Sequence, residues 1–252
     1  DKGTLYVASF KDNGTGEWIE LSMNNPIIAA NPDFEFKSDA DLAIFTRLAA
    51  DAVSATKMDR PEWGGINPRN GEFYMTLTNN SNRTVDGDAG LDAANPRYYS
   101  DMKGSKESKG NVHGHIIRVA QANPADTSFK WDIYVFGAES DADKSRINLS
   151  NLTDANDLSS PDGLVFSEAT GLCWIQTDDG AYTDKSNCMM LAAIPGQVGD
   201  GGKKTLAYKR TDGSEKRVDT FVGKAPTEDT LKRFLVGPKD CEITGLCETP
   251  DG

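Results

Sequence analysis

Asp162-Gly-Leu-Val-Phe-Ser-Glu-Ala-Thr-Gly171, set against Glu62-Trp-Gly-Gly-Ile-Asn-Pro-Arg-Asn-Gly71, decides the fold. In both an acid leads a short apolar run, the run leads a Gly turn, and a second apolar strand follows: Gly71-Glu-Phe-Tyr-Met-Thr-Leu-Thr and Gly171-Leu-Cys-Trp-Ile-Gln-Thr. Glu242 stands in the same phase, ten residues before Gly252, and Gly3 precedes the strand-like Thr-Leu-Tyr-Val-Ala-Ser-Phe. The turn glycines Gly3, Gly71, Gly171 and Gly252 lie 68, 100 and 81 residues apart. Propeller blades run about 40–50 residues, so a propeller reading requires insertions. If the repeat is structural, the acids Glu62, Asp162 and Glu242 converge, and converging carboxylates call for a cation.

Short strands dominate the rest of the chain. The alternation of apolar and polar residues between Gly/Asn/Asp turns predicts strands at 4–10, 17–21, 63–67, 72–78, 115–120, 130–136, 163–167, 172–177, 189–193, 217–222, 232–236 and 242–246. The fold class expected is all-β, a partial β-propeller with one inserted helix. That helix is placed at about 38–55: Ser38-Asp-Ala-Asp41 reads as a capping box, and Leu42, Phe45, Leu48, Ala49, Ala52 and Val53 fall on one helical face. It hands the chain to Asp59-Arg60-Pro61, where the proline biases Arg60 toward an extended backbone. Residues 80–112 and 195–216 read as loop insertions.

Composition narrows the function. With 252 residues the chain forms one large domain or two small ones, and 39 Asp+Glu against 27 Lys+Arg argue against nucleic acid or an anionic membrane as partner. No apolar run is long enough to span a membrane. Cys173, Cys188, Cys241 and Cys247 lack metal-ribbon spacing, although two disulfides are possible; Cys173 reads as a buried hydrophobe. His113 and His115 are too few for a multi-histidine zinc centre.

The densest chemistry is Asp59-Arg60-Pro61-Glu62-Trp63. In an extended segment residues two apart share a face, which places Arg60 beside Glu62. A guanidinium fork next to carboxylates that hold a hard cation suits phosphate chemistry. Ser159-Ser160-Pro161-Asp162-Gly163 and Gly237-Pro238-Lys239-Asp240-Cys241-Glu242 are the matching clusters. Asn79 and Lys239 are weaker anion contacts. Asp178 and Asp179 are weaker acids at the end of the second repeat, and Cys241 reads as an inert thiol.

These motifs resemble the PhoX-type alkaline phosphatases. The resemblance rests on Lys57-Met-Asp-Arg-Pro-Glu-Trp63, Asn67-Pro-Arg-Asn-Gly-Glu-Phe-Tyr-Met-Thr-Leu-Thr-Asn-Asn-Ser81, Asp92-Ala-Ala-Asn-Pro-Arg97, Gly114-His-Ile-Ile-Arg118, Ser160-Pro-Asp-Gly-Leu164, Trp174-Ile-Gln-Thr-Asp178 and Arg233-Phe-Leu-Val-Gly-Pro-Lys-Asp-Cys-Glu-Ile-Thr-Gly245, in family order. It implies a six-bladed β-propeller with iron(III) and calcium in its channel and hydrolysis of phosphomonoesters. Glu62, Asp162 and Glu242 carry over as metal ligands and Arg60 as the phosphate contact and catalytic residue. It further implies a monomer exported folded to the periplasm or beyond. The expected piece, residues 1–252, is a single incomplete domain of about three blades, inactive alone because further ligands lie in the family's N-terminal half. Trp63-Gly-Gly-Ile departs from a more aliphatic family strand, and residues 98–110 read as an extra loop. Two other readings of the acids are a calcium-dependent propeller lactonase or esterase, which has no need of Arg60, and a non-catalytic, metal-stabilised binding propeller.

Overall fold

The computed structural model describes residues 3–103, 105–178 and 185–249. Asp179 and Gly252, a weak acid candidate and the fourth turn glycine, lie outside them. Among the described residues there are fourteen strands and three short helices: β1 Tyr6–Phe10, β2 Thr15–Glu20, α1 Pro26–Ala29, α2 Asp39–Ile44, α3 Thr46–Ala52, β3 Pro61–Ile66, β4 Phe73–Leu77, β5 Tyr99–Lys103, β6 Lys106–Gly110, β7 His115–Ala120, β8 Ser128–Phe136, β9 Pro161–Phe166, β10 Cys173–Thr177, β11 Met189–Ala193, β12 Gly202–Lys209, β13 Glu215–Val222 and β14 Leu231–Val236. The fold is therefore mostly β, in largely antiparallel sheets. Among the described residues no helix is long and apolar enough to cross a membrane.

Two antiparallel meanders position everything that follows. The order β3-β4-β7-β8 continues through β2 to β1, and β8 also takes β13 in parallel pairing, with β12 outside it. The second meander is β9-β10-β11-β14. The predicted repeat holds for its Gly71 and Gly171 members: β3–β4 and β9–β10 are matched hairpins whose turns close in the same way. Gly71 N donates to Asn67 O and Gly171 N to Ser167 O, each at 2.8 Å, and both glycines hold φ +74. Arg69, in the first turn, donates from Nη2 to the Thr170 carbonyl of the second, locking the two hairpins together.

β3 and β9 are the outer edges of their meanders, and they lie side by side. A Cβ on Gly65 would come within 2.8 Å of the Leu164 side chain, and one on Gly64 within 2.8 Å of Phe73. The absence of side chains at Gly64 and Gly65 is what allows β3 to lie so close to its neighbours. Between the sheets, Tyr74, Ile116, Val135, Leu164, Ile175 and Leu191 form one buried core. Leu77, Ile117, Trp131, Phe136, Leu206 and Val218 form a second, beneath the larger sheet. Full burial of such side chains stabilises by about 1.5–3 kcal/mol each.

Several expectations need correction. The helix at 38–55 is two helices, because the chain breaks at Phe45, which closes α2 and opens α3. The Ser38 cap is present: its hydroxyl accepts from Asp41 N at 3.3 Å, and Lys37 N donates to the Asp41 carboxylate at 2.8 Å. Leu42, Ala49 and Val53 are buried against Leu21 and Ile28, but the break shifts the phase and leaves Phe45 and Leu48 about two-fifths exposed, at 40% and 41%. Residues 80–112 contain the β5–β6 hairpin, and 195–216 contain β12. Both strands are rich in Lys, and β5–β6 has little apolar alternation. β12 buries only Leu206 and Tyr208, so its apolar face is two residues wide. The strand expected at 242–246 does not form among the described residues. None of the four cysteines is in a disulfide, and Cys173 is buried as expected.

Candidate active site

Each of the three matched acids is preceded, two positions earlier, by a non-glycine residue with positive φ: Arg60 at 53°, Ser160 at 49° and Asp240 at 62°. The expectation of an extended Arg60 is thus overturned. A left-handed residue costs an L-amino acid about 1–2 kcal/mol, and matched hydrogen bonds hold it in place. Thr78 N donates to Arg60 O and Asp178 N to Ser160 O, both at 3.2 Å. The kink turns the chain sharply into β3 and β9, so that Glu62 and Asp162 sit at the start of adjacent edge strands.

The second strand of each hairpin then reaches across to the next acid segment. Thr76 Oγ1 accepts from Trp63 N at 2.9 Å and donates to the Asp162 carbonyl at 2.7 Å. Gln176, at the matched position of β10, donates to Gly245 O at 2.8 Å and so holds the Glu242 segment. Acid-bearing segments are in this way tied in series, each to the preceding hairpin.

The result is a shared field of negative charge. The carboxyl of Asp162 is raised above the usual range, by burial first and then by the charges of Glu62, Asp178 and Glu242, with Arg60 opposing. Glu62, Asp178, Glu242 and Arg60 thus all lie near enough to Asp162 for their charges to act on it. Arg60 Nη2 stands 3.7 Å from Glu62 Oε1. Its Nη1 donates to Asn79 Oδ1 at 2.8 Å, and Asn79 Nδ2 donates to Ser160 Oγ at 3.1 Å. Asn79 is thus a bracket for Arg60. Lys239 is exposed.

The acids suit a hard cation in their chemistry, since carboxylate oxygens are the donors such ions prefer and a cation would relieve the repulsion that raises Asp162. Among the described residues, however, no three of His, Cys, Asp and Glu close on one point as a metal cage. The donor set fits a metal as part of a larger coordination shell.

Other motif residues turn out to be the frame. Asp59 is fully buried and accepts from Arg83 Nε and Asn80 Nδ2, both at 2.8 Å, and from Asn111 Nδ2 at 2.9 Å. Asn95 Oδ1 accepts from Asp59 N at 3.1 Å, and Arg97 donates to Asn111 Oδ1 at 2.7 Å. Arg97 also lies over the Phe136 ring at 4.7 Å. His115 bridges Asn111 and the Ala94 carbonyl. Arg118 pairs with Asp132 at 2.6 Å and Asp200 at 2.7 Å, anchoring the 195–201 loop. Sequence reasoning assigned no role to Ser160 or Thr76; the register Arg60/Ser160 and Thr76/Gln176 was the available sign.

Paired hairpins with glycine-closed turns, carrying Arg60, Glu62 and Asp162 at the starts of adjacent sheet edges, define a mostly β scaffold. The sequence matches the alkaline phosphatase PhoX family over residues 1–252, and the chain belongs to that family. It is similar in structure to Pseudomonas fluorescens PhoX in complex with vanadate, a transition state analogue, with 32% identity and a TM-score of 0.69. The match covers 97% of this chain and 37% of that one, so the chain spans little more than a third of its relative's length. Comparison with curated proteins gives no match.

Proposed function

We propose that this chain supplies part of the active site of a metal-dependent phosphomonoester hydrolase that releases inorganic phosphate. The observation that carries the reading is the Arg60 guanidinium, braced by Asn79 and poised over Glu62 in the same field as Asp162, Asp178 and Glu242. The vanadate complex of the Pseudomonas fluorescens relative supports an oxyanion as the ligand of such a site. Family membership supports phosphatase chemistry for the full-length protein.

Glu62, Asp162 and Glu242 would hold iron(III) and calcium, together with ligands from outside this chain. Bound there, such ions would neutralise phosphate charge and draw electron density from phosphorus. Arg60 would clamp the remaining phosphoryl oxygens through its planar fork, a contact that strengthens as charge builds in the transition state. Asn79 holds the fork in place and Lys239 is left without a role. In this reading residues 1–252 form a single incomplete domain of about three blades of a six-bladed propeller. The protein acts on small phosphomonoesters, as a monomer in the periplasm or outside the cell, and this portion alone is inactive.

The test uses the full-length, metal-loaded enzyme with p-nitrophenyl phosphate. Arg60→Ala is expected to lower kcat/KM by about 10²–10³, and Glu62→Ala to lower the bound metal. Wild-type turnover and metal content in both variants would sink the assignment. Turnover of a lactone with none of the phosphate ester would favour the lactonase reading instead. Metal binding without turnover of either would leave a binding propeller.

A further inference from the structure

We propose that Ser160, clamped by His113, is a positioning residue that orients the Arg60 guanidinium through the Asn79 amide. The proposal rests on the phosphatase reading of Arg60.

Arg60 is 59% exposed in its side chain, and the nearest opposite charge is Glu62 at 3.7 Å. An exposed guanidinium left to itself would fold onto that carboxylate and lose the open fork that an oxyanion needs. Among the described residues, the contact that holds it back is the hydrogen bond to Asn79 Oδ1 at 2.8 Å. An amide offers a carbonyl on one side and an NH2 on the other. If it turned over, two donors would face each other and Arg60 would be released. Ser160 opposes the turn: its hydroxyl accepts from the NH2 at 3.1 Å, and with the Ser159 proton given to His113 it can direct its own proton to Ser159 Oγ at 3.5 Å, leaving only a lone pair for Asn79.

Ser160 can do this only where it stands, in a left-handed conformation at φ 49. Its N–H donates to the His113 carbonyl at 2.9 Å. The His113 ring holds the neighbouring Ser159, with Nδ1 2.9 Å from Oγ and Nε2 2.9 Å from the Asp101 carboxylate. The carboxylate accepts only, so Nε2 carries the proton and Nδ1 accepts from the Ser159 hydroxyl. Asp, His and Ser in this order have the connectivity of a hydrolytic triad, yet Ser159 is 1% exposed and no substrate reaches it. The three side chains instead act as a clamp on the segment carrying Ser160. The β5–β6 hairpin, which supplies Asp101, thereby gains a function: it braces the back of the site.

The experiment is a double-mutant cycle in the full-length, metal-loaded enzyme, reading kcat/KM with p-nitrophenyl phosphate and the inhibition constant of inorganic phosphate. Loss of one such hydrogen bond is expected to lower kcat/KM about three- to tenfold in Ser160→Ala and to weaken phosphate inhibition by a similar factor. In an Arg60→Ala background the same substitution should cost nothing further. Ser160→Gly keeps the left-handed backbone without strain while removing the hydroxyl, and must show the same loss. An equal loss in both backgrounds, or none in the wild type, overturns the positioning role while leaving Arg60 intact. Full activity in Arg60→Ala overturns the function reading and this inference together.

Discussion

His115 gives a pH dependence of stability whose size follows from the structure. It opens β7 and is completely buried. Its Nε2 lies 2.9 Å from the Ala94 carbonyl, which only accepts, so Nε2 carries the proton. Its Nδ1 lies 3.0 Å from Asn111 Nδ2, whose partner atom Oδ1 is already held by Arg97. A second proton on the ring would therefore face a donor, in a fully buried site. Burial foremost, helped by the charges of Arg97 and Arg83 and opposed by Asp59, lowers the imidazole from 6.5 to about 4. The unfolded chain takes up this proton below pH 6.5, and the folded chain refuses it until pH 4. The stabilisation is thus complete above pH 6.5 and disappears as pH falls toward 4, at a cost of about 3 kcal/mol. Asp92 and Asp162, both raised by burial, act in the opposite sense, gaining stability as they protonate. They are common to wild type and variant and cancel in a difference. Urea unfolding of the full-length protein at about pH 7 and pH 4, wild type against His115→Gln, isolates the term. The glutamine can still donate to Ala94 O but does not titrate. The wild type should lose about 3 kcal/mol more than the variant across this range. Parallel losses would refute the claim that the buried neutral imidazole is a source of acid sensitivity.

Two further expectations concern the frame of the site. Asp59→Ala leaves Arg83, 2% exposed, with a buried and uncompensated charge, and should cost about 3–5 kcal/mol in chemical denaturation. Gly114 and Gly71 form a contrasting pair. At Gly114, φ is 66° and a Cβ would stand 2.0 Å from the Thr78 carbonyl and 2.3 Å from that of Leu77, so Gly114→Ala should cost about 2–5 kcal/mol. At Gly71 the space is open and only the φ of 74° resists, so Gly71→Ala should cost about 1–2 kcal/mol in the same assay. Equal costs at the two positions would refute the close approach of β7 to the end of β4.

Much of the scaffold was legible because its causes are local. Short apolar runs marked β7, β10 and β11, the Ser38 cap marked the start of α2, and the recurrence of acid, apolar run and glycine marked two hairpins that the structure closes in the same way. The family was legible from ordered motifs, which its match over the whole chain bears out. The β5–β6 hairpin escaped because Lys106-Glu-Ser-Lys-Gly110 carries almost no apolar signal; it is ordered by pairing with β5 and by Tyr99 and Asp101 against His113. The single long helix failed because helical periodicity persists across Phe45 even where the backbone does not.

By itself the sequence determined that Glu62, Asp162 and Glu242 occupy one phase of a repeat and that Arg60 stands beside the first. It could not separate Arg60 from Asp59, because both are charged residues in one motif. Tertiary structure decided that one carries its charge outward while the other is sealed among Arg83, Asn80 and Asn111. It also decided that β3 lies against β9, so that one acid feels the next. Strand and turn preferences are set by neighbours a few residues away. The burial and mutual charge of groups 100 positions apart, such as Glu62 and Asp162, exist only once two sheet edges have met.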